Sequence, residues 1–367
     1  MTKSRETDER FMGRALQLAA RGRGRTWPNP AVGAVLVRGG AVVGEGWHRA
    51  AGLPHAEAVA LERAGRAARG ATLYVTLEPC AHEGRTPPCT RGIIAAGVSR
   101  CVVGVRDPHA IVNGKGLAGL RAAGLKVEVG VGAAAAREVL GGYWVRHAQR
   151  RPRITWKVAA TLDGKIADAA GRARWITGPM ARARGHELRA ASQAIVIGAG
   201  TALADDPRLT SRGSGASCQP LRVVCDTRLR LPLSLRLFSR ALARGTVVAC
   251  SQQASRAREA ALLERGVRVW RLALGTGGVS PLALARRLAR EECHDVLLEG
   301  GAALGTAWLN AALIDRILLF TAPRLLGEGG LAWCGRVKDS RLAQAIAGRF
   351  ESCEMLGADT LLTLRLD

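Results

Sequence analysis

The stretch "ATLYVTLEPCAHEGRTPPCTRGIIAAGV" (Ala71 to Val98) carries two periodicities in succession. Its start, "ATLYVTLEP", is a short apolar run rich in β-branched and aromatic residues and predicts a strand. Its end, "CTRGIIAAGV", spaces apolar residues as a helix does. Reading outward, the same alternation fills the first 147 residues. "DERFMGRALQLAARG" predicts an amphipathic helix, "AVGAVLVRGGAVVGEGW" two strands turned at Gly39-Gly40, and "LPHAEAVALERAG" (Leu53 to Gly65) a helix before the opening strand. On the other side "RCVVGV" (strand), "LAGLRAAGL" (helix) and "KVEVGV" (strand) continue the pattern. Strands and helices taking turns imply a central sheet with helices on its faces, an α/β architecture.

The segment "HAQRRPRIT" (His147 to Thr155) is charged, contains Pro152 and interrupts the alternation, which predicts a boundary between domains 1–149 and 150–367. A chain of 367 residues suits two domains of ordinary size. The second alternates again, with strands at "ITWKVAAT", "AIVIGAG", "LRVVCDT", "GTVVACS", "DVLLEGG" and "RILLFTAP" and helices such as "PMARARGHELRAAS" and "PLALARRLAREEC". It is therefore also α/β, but no G-x-G-x-x-G follows its first strand, unlike a Rossmann dinucleotide site.

Composition narrows the function classes. No apolar run approaches membrane-spanning length, and "MTKSRETDER" has no apolar signal segment behind it, so a soluble cytoplasmic protein is expected. Nine cysteines, odd in number and scattered, are unlike the dense even sets of small secreted domains and read mostly as buried small hydrophobes. A net charge of +24 raises nucleic-acid binding, because positive surface attracts phosphate without regard to sequence. Only six of the 54 basic residues are lysines, however, and the arginines form no tail or block, a pattern that a general Arg and Ala bias also produces.

Chemistry concentrates in the first domain. His55 and Glu57 open the predicted helix at Leu53 to Gly65, and Cys80 and Cys89 flank the loop after the predicted strand. One His and two Cys with an open fourth position is an arrangement of catalytic zinc. Pro54-His55 and Pro79-Cys80 both sit where a helix would start, and a helix N-terminus favours thiolate over thiol. Zinc lowers the pKa of bound water to roughly 7, and a carboxylate beside that water could take one proton and deliver another to a leaving amine. Glu57 suits this role. Zinc deaminases divide the labour in this way, under the signature H-x-E…P-C-x-x-C. Here eight residues, not two, separate the cysteines. Taken singly, a His at a helix start reads as a cap, and cysteines beside strands read as core; their joint order carries the metal reading. His82 is a rival ligand, but two residues from Cys80 it is better placed to line the pocket.

"PNPAVGAVLV" (Pro28 to Val37), "PHAEAVAL" (Pro54 to Leu61) and "EPCAHEGRTPPC" (Glu78 to Cys89) resemble the deaminase half of the bifunctional riboflavin-biosynthesis deaminase/reductase, or RibD, family, in which the long cysteine spacing with G-R-T-P-P is characteristic. "KVAATLDGKIA", "RWITG", "HELRAASQAIVIGAGTALADDPRLTSR", "LLEGGAALGTAWLNAALID" and "TAPRLLG" extend the resemblance to the reductase half. It implies a cytidine-deaminase-like three-layer domain followed by a dihydrofolate-reductase-like α/β domain. It further implies zinc on His55, Cys80 and Cys89, proton transfer by Glu57, and substrate contact by Asn29. In the second half it implies NADPH around Ala159, Trp175, Thr201, Asp205, Thr227 and the segment Gly301, Ala302, Ala303, Leu304, Gly305, Thr306 and Ala307. Substrate falls on Arg189, Leu209, Arg212 and Glu299. The two arginines suit a ribose phosphate, since guanidinium binds phosphate in bidentate fashion, and the strand–Gly300-Gly301–helix unit suits a cofactor phosphate.

The implied reactions are zinc-dependent hydrolytic deamination of 2,5-diamino-6-(5-phosphoribosylamino)pyrimidin-4-one, then NADPH-dependent reduction of the ribosyl group of the resulting uracil to ribityl. A phosphorylated pyrimidine substrate and a homo-oligomer are expected, and no nucleic-acid or membrane partner. Two departures stand out: "DPHA" (Asp107 to Ala110) replaces the family's D-P-N-P, and Ala173 replaces a serine before the W-I pair. Two other readings fit parts of the pattern: a tRNA-type deaminase using the same zinc set, and a structural zinc module joined to a nucleotide-binding domain.

Overall fold

The computed structural model describes residues 3–83, 87–211, 219–339 and 341–366. The chain divides into two compact units, Met1–Arg150 and Arg151–Asp367.

The first unit runs α1 (Lys3–Ala20), β1 (Gly33–Arg38), β2 (Ala41–Trp47), α2 (Ala56–Ala64), β3 (Thr72–Leu77), α3 (Cys89–Ala95), β4 (Arg100–Val105), α4 (Lys115–Ala122), β5 (Lys126–Val129), α5 (Ala133–Leu140) and α6 (Gly142–Gln149). Its sheet has the order β2-β1-β3-β4-β5. β1 is antiparallel to β2 and β3, whereas β3, β4 and β5 are parallel. Gly39 and Gly40 turn the β1–β2 hairpin with φ of 58° and 81°, the left-handed pair a tight hairpin needs. Alternate strand residues build two cores. Ala34, Leu36, Leu73, Val75, Cys101 and Val103 pack with Ala56, Ala60 and Ile93 from α2 and α3. Val35, Val37, Tyr74 and Val102 meet Phe11, Met12, Ala15 and Leu18 of α1. This is the expected three-layer arrangement. α2 lies so close to β2 that a Cβ on Gly46 would come within 2.5 Å of the Ala56 carbonyl oxygen. That contact seats the helix start bearing His55 and Glu57.

The second unit comprises β6 (Arg153–Thr161), β7 (Lys165–Ala167), α7 (Pro179–Ala190), β8 (Ala194–Gly198), α8 (Ala199–Asp205), β9 (Leu221–Cys225), β10 (Thr246–Ser251), α9 (Arg256–Glu264), β11 (Arg268–Leu272), β12 (Leu274–Gly275), β13 (Gly278–Val279), α10 (Pro281–Arg290), β14 (Asp295–Leu298), α11 (Ala302–Asn310), β15 (Arg316–Ala322), β16 (Leu331–Ala332), β17 (Gly348–Leu356) and β18 (Asp359–Leu366). Nine strands form one sheet in the order β11-β10-β9-β8-β14-β6-β15-β18-β17. The first seven are mutually parallel. β18 and β17 close the sheet as an antiparallel hairpin. Buried strands such as β8 and β10 are continuous apolar runs, as a sheet covered on both faces requires.

Candidate active sites

In the first unit His55 is the N-cap of α2 and Glu57 lies in its first turn. Cys89 opens α3 behind Pro88, while Cys80 lies in the loop leaving β3. The expectation that Pro79-Cys80 begins a helix is thus corrected: the helix begins nine residues later at Cys89, where the helically spaced apolar residues of "CTRGIIAAGV" begin. The helix still serves Cys80, since the Cys89 N–H donates to Cys80 Sγ at 3.3 Å. His55 Nδ1 is 3.2 Å from Cys89 Sγ and 3.6 Å from Cys80 Sγ. The three donor atoms all lie within 4.8 Å of one another. Tetrahedral zinc with ordinary Zn–N and Zn–S lengths needs N···S separations of roughly 3.6 Å, so the donor set fits zinc. His82 is exposed and outside the cluster. Gly84, Arg85 and Thr86 of the cysteine loop lie outside the described residues.

Electrostatics separates the two thiols. A hydrogen bond from the Cys89 side chain, reinforced by His55 and the Cys89 N–H, holds Cys80 far below the ordinary thiol range. The same contact, with burial, pushes Cys89 up. Glu57 is 4% exposed, and its carboxyl, raised by burial, hydrogen-bonds the Cys89 side chain. Set against the donor cluster, this group can accept a proton as the carboxylate and return it once protonated, and burial eases its passage to the protonated form.

Asn29 Nδ2 donates to His48 Nε2 at 3.1 Å, leaving His48 Nδ1–H to donate to the Pro54 carbonyl at 3.1 Å. The buried His48 ring meets His55 edge-on at 5.3 Å. Asn29 is therefore tied to the residue that braces the start of α2. The sequence reading missed His48; its place directly after β2, facing the H-x-E helix, is the only signal it carried. In the "DPHA" segment Asp107 is buried and accepts from the His109 N–H at 2.8 Å and from Tyr143 Oη at 3.0 Å. Burial pushes its carboxyl up to about 6.

In the second unit Arg189 of α7 and Glu299, just past β14, form a bidentate pair at 2.6 and 2.7 Å. Lys157 of β6, also missed, shares their field: burial lowers its pKa, Glu299 and Asp205 raise it, and Arg189 lowers it further. The Gly301 N–H donates to Thr201 Oγ1 at 3.3 Å. Arg189, Glu299, Lys157 and Asp205 thus share one field, with Lys157 in the middle of β6, and the Gly301–Thr201 bond joins the segments that follow the carboxyl ends of β14 and β8, where open α/β sheets take ligands.

Other candidates lie differently. Gly305 and Thr306 turn inward, Gly305 against Trp156 and Thr306 Oγ1 accepting from the Gly335 N–H at 2.7 Å. The Leu304 side chain fills the space beside Gly300, while Ala302 and Ala307 are half-buried and Ala303 is exposed. Trp175 is 63% exposed, with Arg182 stacked over its ring. Leu209 is buried at a φ of 49°. Ala159 is half-buried near Phe320 and Leu318, and the Thr227 carbonyl accepts from Ser251. Arg212 lies outside the described residues.

Comparison with known proteins accords with both halves. Residues 5–105 match the family described as the cytidine and deoxycytidylate deaminase zinc-binding region, and residues 152–362 match the RibD C-terminal domain. The chain is 41% identical to the riboflavin biosynthesis protein RibD of Aquifex aeolicus, with 98% of each chain covered. It is 40% identical to that of Escherichia coli, over 97% of this chain and 99% of the relative. Among solved structures, Acinetobacter baumannii RibD superposes with a TM-score of 0.86 at 36% identity over 99% of both chains. A diaminohydroxyphosphoribosylaminopyrimidine deaminase/5-amino-6-(5-phosphoribosylamino)uracil reductase from Thermotoga maritima gives 0.81 at 34% identity, over 99% of this chain and 100% of that one. Among the described residues no helix is long and apolar enough to cross a membrane. With a zinc-binding deaminase fold in front of a RibD reductase fold along its full length, the chain belongs to the RibD family of bifunctional riboflavin-biosynthesis deaminase/reductases.

Proposed function

We propose that the first unit deaminates 2,5-diamino-6-(5-phosphoribosylamino)pyrimidin-4-one and that the second reduces the ribosyl group of the product, 5-amino-6-(5-phosphoribosylamino)uracil, to ribityl. The observation that carries the reading is the buried Glu57 carboxyl set against a His55, Cys80 and Cys89 donor cluster. These three residues would hold zinc, which when bound supplies the acidity that makes water a nucleophile near neutral pH. Glu57 would take a proton from the attacking water as its oxygen bonds to the amine-bearing C2, and would return a proton to the nitrogen as the C2–N bond breaks, so that ammonia leaves and C2 keeps the oxygen. Asn29 and His48 hold the start of α2, and with it Glu57, in place.

In the second unit NADPH, when bound, supplies a hydride. Its phosphates are assigned to the Gly300-Gly301 turn, where a Cβ on Gly300 would lie 2.6 Å from Leu304 Cδ2 and 2.9 Å from Leu304 Cβ, so that a side chain there would displace Leu304. Thr201, Asp205, Ala159, Trp175, Thr227 and residues 301–307 are assigned to the cofactor. Glu299, Arg189, Leu209 and Arg212 are assigned to substrate, with Lys157 poised beside them. The domain division at 149/150, a cytoplasmic location and a homo-oligomer complete the reading. The eight free cysteines among the described residues support a reducing compartment. The edge strand β17, which leaves Phe350 and Met355 69% and 66% exposed, supports self-association.

Supplying the diaminopyrimidine nucleotide with zinc and NADPH, and following ammonia release and NADPH oxidation separately, tests the two halves. Glu57→Gln should retain zinc and reductase activity while deamination falls by at least about 10²-fold. Undiminished ammonia release from that variant would remove Glu57 from the proton path and sink the proposed mechanism.

A further inference from the structure

Four backbone N–H groups converge on the Glu78 side chain, which is buried at the end of β3. Oε2 accepts from Asp107 at 3.1 Å and Gly114 at 2.9 Å; Oε1 accepts from Gly116 at 2.9 Å and Leu117 at 3.2 Å. The cause is local. α4 starts behind Gly114, which has no side chain to cap the first-turn N–H groups, and Glu78 satisfies them from another element. Because Asp107 and Gly114 bracket the connection from β4 to α4, one carboxylate draws both ends of that connection together. The same residue stands two positions before Cys80. α4 is pressed against this point so closely that a Cβ on Gly116 would lie 2.0 Å from the Pro79 carbonyl oxygen.

The connection emerges at the carboxyl end of β4, beside the carboxyl end of β3, the side on which open α/β sheets take ligands. It presents Asp107, which holds the His109 N–H and the Tyr143 hydroxyl, and His109, whose ring lies 4.2 Å from that of His147. We infer that Glu78 is a positioning residue of the deaminase site, holding the 107–114 connection as a substrate-binding wall in one frame with the Cys80 loop. This rests on the deaminase reading above.

In Glu78→Gln the amide NH₂ faces backbone N–H donors where a carboxylate oxygen had accepted them. The wall then moves while His55, Cys80 and Cys89 keep their donor atoms. The expected result is a rise of about ten-fold or more in the deamination KM, with kcat within about three-fold, since binding common to ground and transition states is lost. Zinc content and reductase turnover, measured on the same full-length chain, stay at wild-type values. Gly116→Ala disturbs the same junction while keeping the Glu78 carboxylate in the chain, its Cβ falling 2.0 Å from the Pro79 carbonyl oxygen and 3.2 Å from Glu78 Cγ and Oε1, and should raise KM likewise, so the test does not depend on one variant folding. An unchanged KM in both variants, a kcat loss without a KM change, or loss of zinc from both overturns the assignment. If the wild type releases no ammonia from the nucleotide, the deaminase reading itself fails and takes this assignment with it; a variant-to-wild-type difference bears on Glu78 alone.

Discussion

The charge cluster around Glu299 shows how one residue can hold several others. Its carboxylate is bidentate to Arg189, and both it and Lys157 sit in a half-buried environment where an unmatched charge is expensive. Glu299→Gln leaves the guanidinium and the ammonium facing a neutral amide. We expect a stability loss on the order of 3 kcal/mol in the second unit, read by hydrogen exchange of its amides during urea unfolding; an unchanged profile would show that the pair contributes nothing net. Sequence alone made Arg189 and Glu299 candidates, but not Lys157, His48 or Glu78. The reason is physical. Each of these three acts through partners distant in the chain: Glu78 through N–H groups 29 to 39 residues away, His48 through Asn29, 19 residues before it, and Lys157 through the charges of Glu299 and Asp205. A motif records residue types at short spacing, whereas such contacts exist only once the strands have aligned.

Elements were legible where their pattern was strong. β1, β3, β4, β8 and β10 are apolar runs that read as strands, and the Gly39-Gly40 hairpin was visible from its turn residues. The two edges of the large sheet were less visible. β11 ("RVWRL") and β17 ("GRFESCEML") alternate charged with apolar residues because an edge strand keeps much of its surface in water, so neither presents a continuous run. The helix start at Cys89 was legible in "CTRGIIAAGV", whereas a second start was wrongly expected at Pro79-Cys80 because Pro precedes both cysteines. α11 shows a case where glycine serves packing. Gly305 lies on the fully buried Trp156, and an added Cβ would fall 1.9 Å from its ring. Gly305→Ala should overpack this junction at a cost of about 1–3 kcal/mol. Heating the full-length variant and assaying both activities should show reductase lost at a lower temperature than in wild type and deaminase loss unshifted; equal shifts in both would place the effect outside this packing contact.

At the scale of the whole molecule the +24 charge is the least resolved feature of the sequence. Many of its arginines have structural partners: Arg14 with Glu45, Arg100 with Asp8, Arg151 with Asp315, Arg153 with Asp295 and Arg271 with Glu259. The excess remains a field that attracts anionic substrates over distances that salt screens. Raising ionic strength from about 0.05 to about 0.5 M should lower deamination kcat/KM while leaving kcat near its low-salt value; a salt-independent kcat/KM would show that the field has no steering role. The carrier of the charge has a further consequence. Guanidinium does not lose its proton at any pH a protein normally meets, so the positive side of each pair is permanent and only the carboxylate side can be switched off. Acid therefore acts on this chain in one direction: as the aspartates and glutamates take up protons, cations held in place by them become mutually repelling. The paired arginines that brace both units at neutral pH become the force that pushes them open in acid.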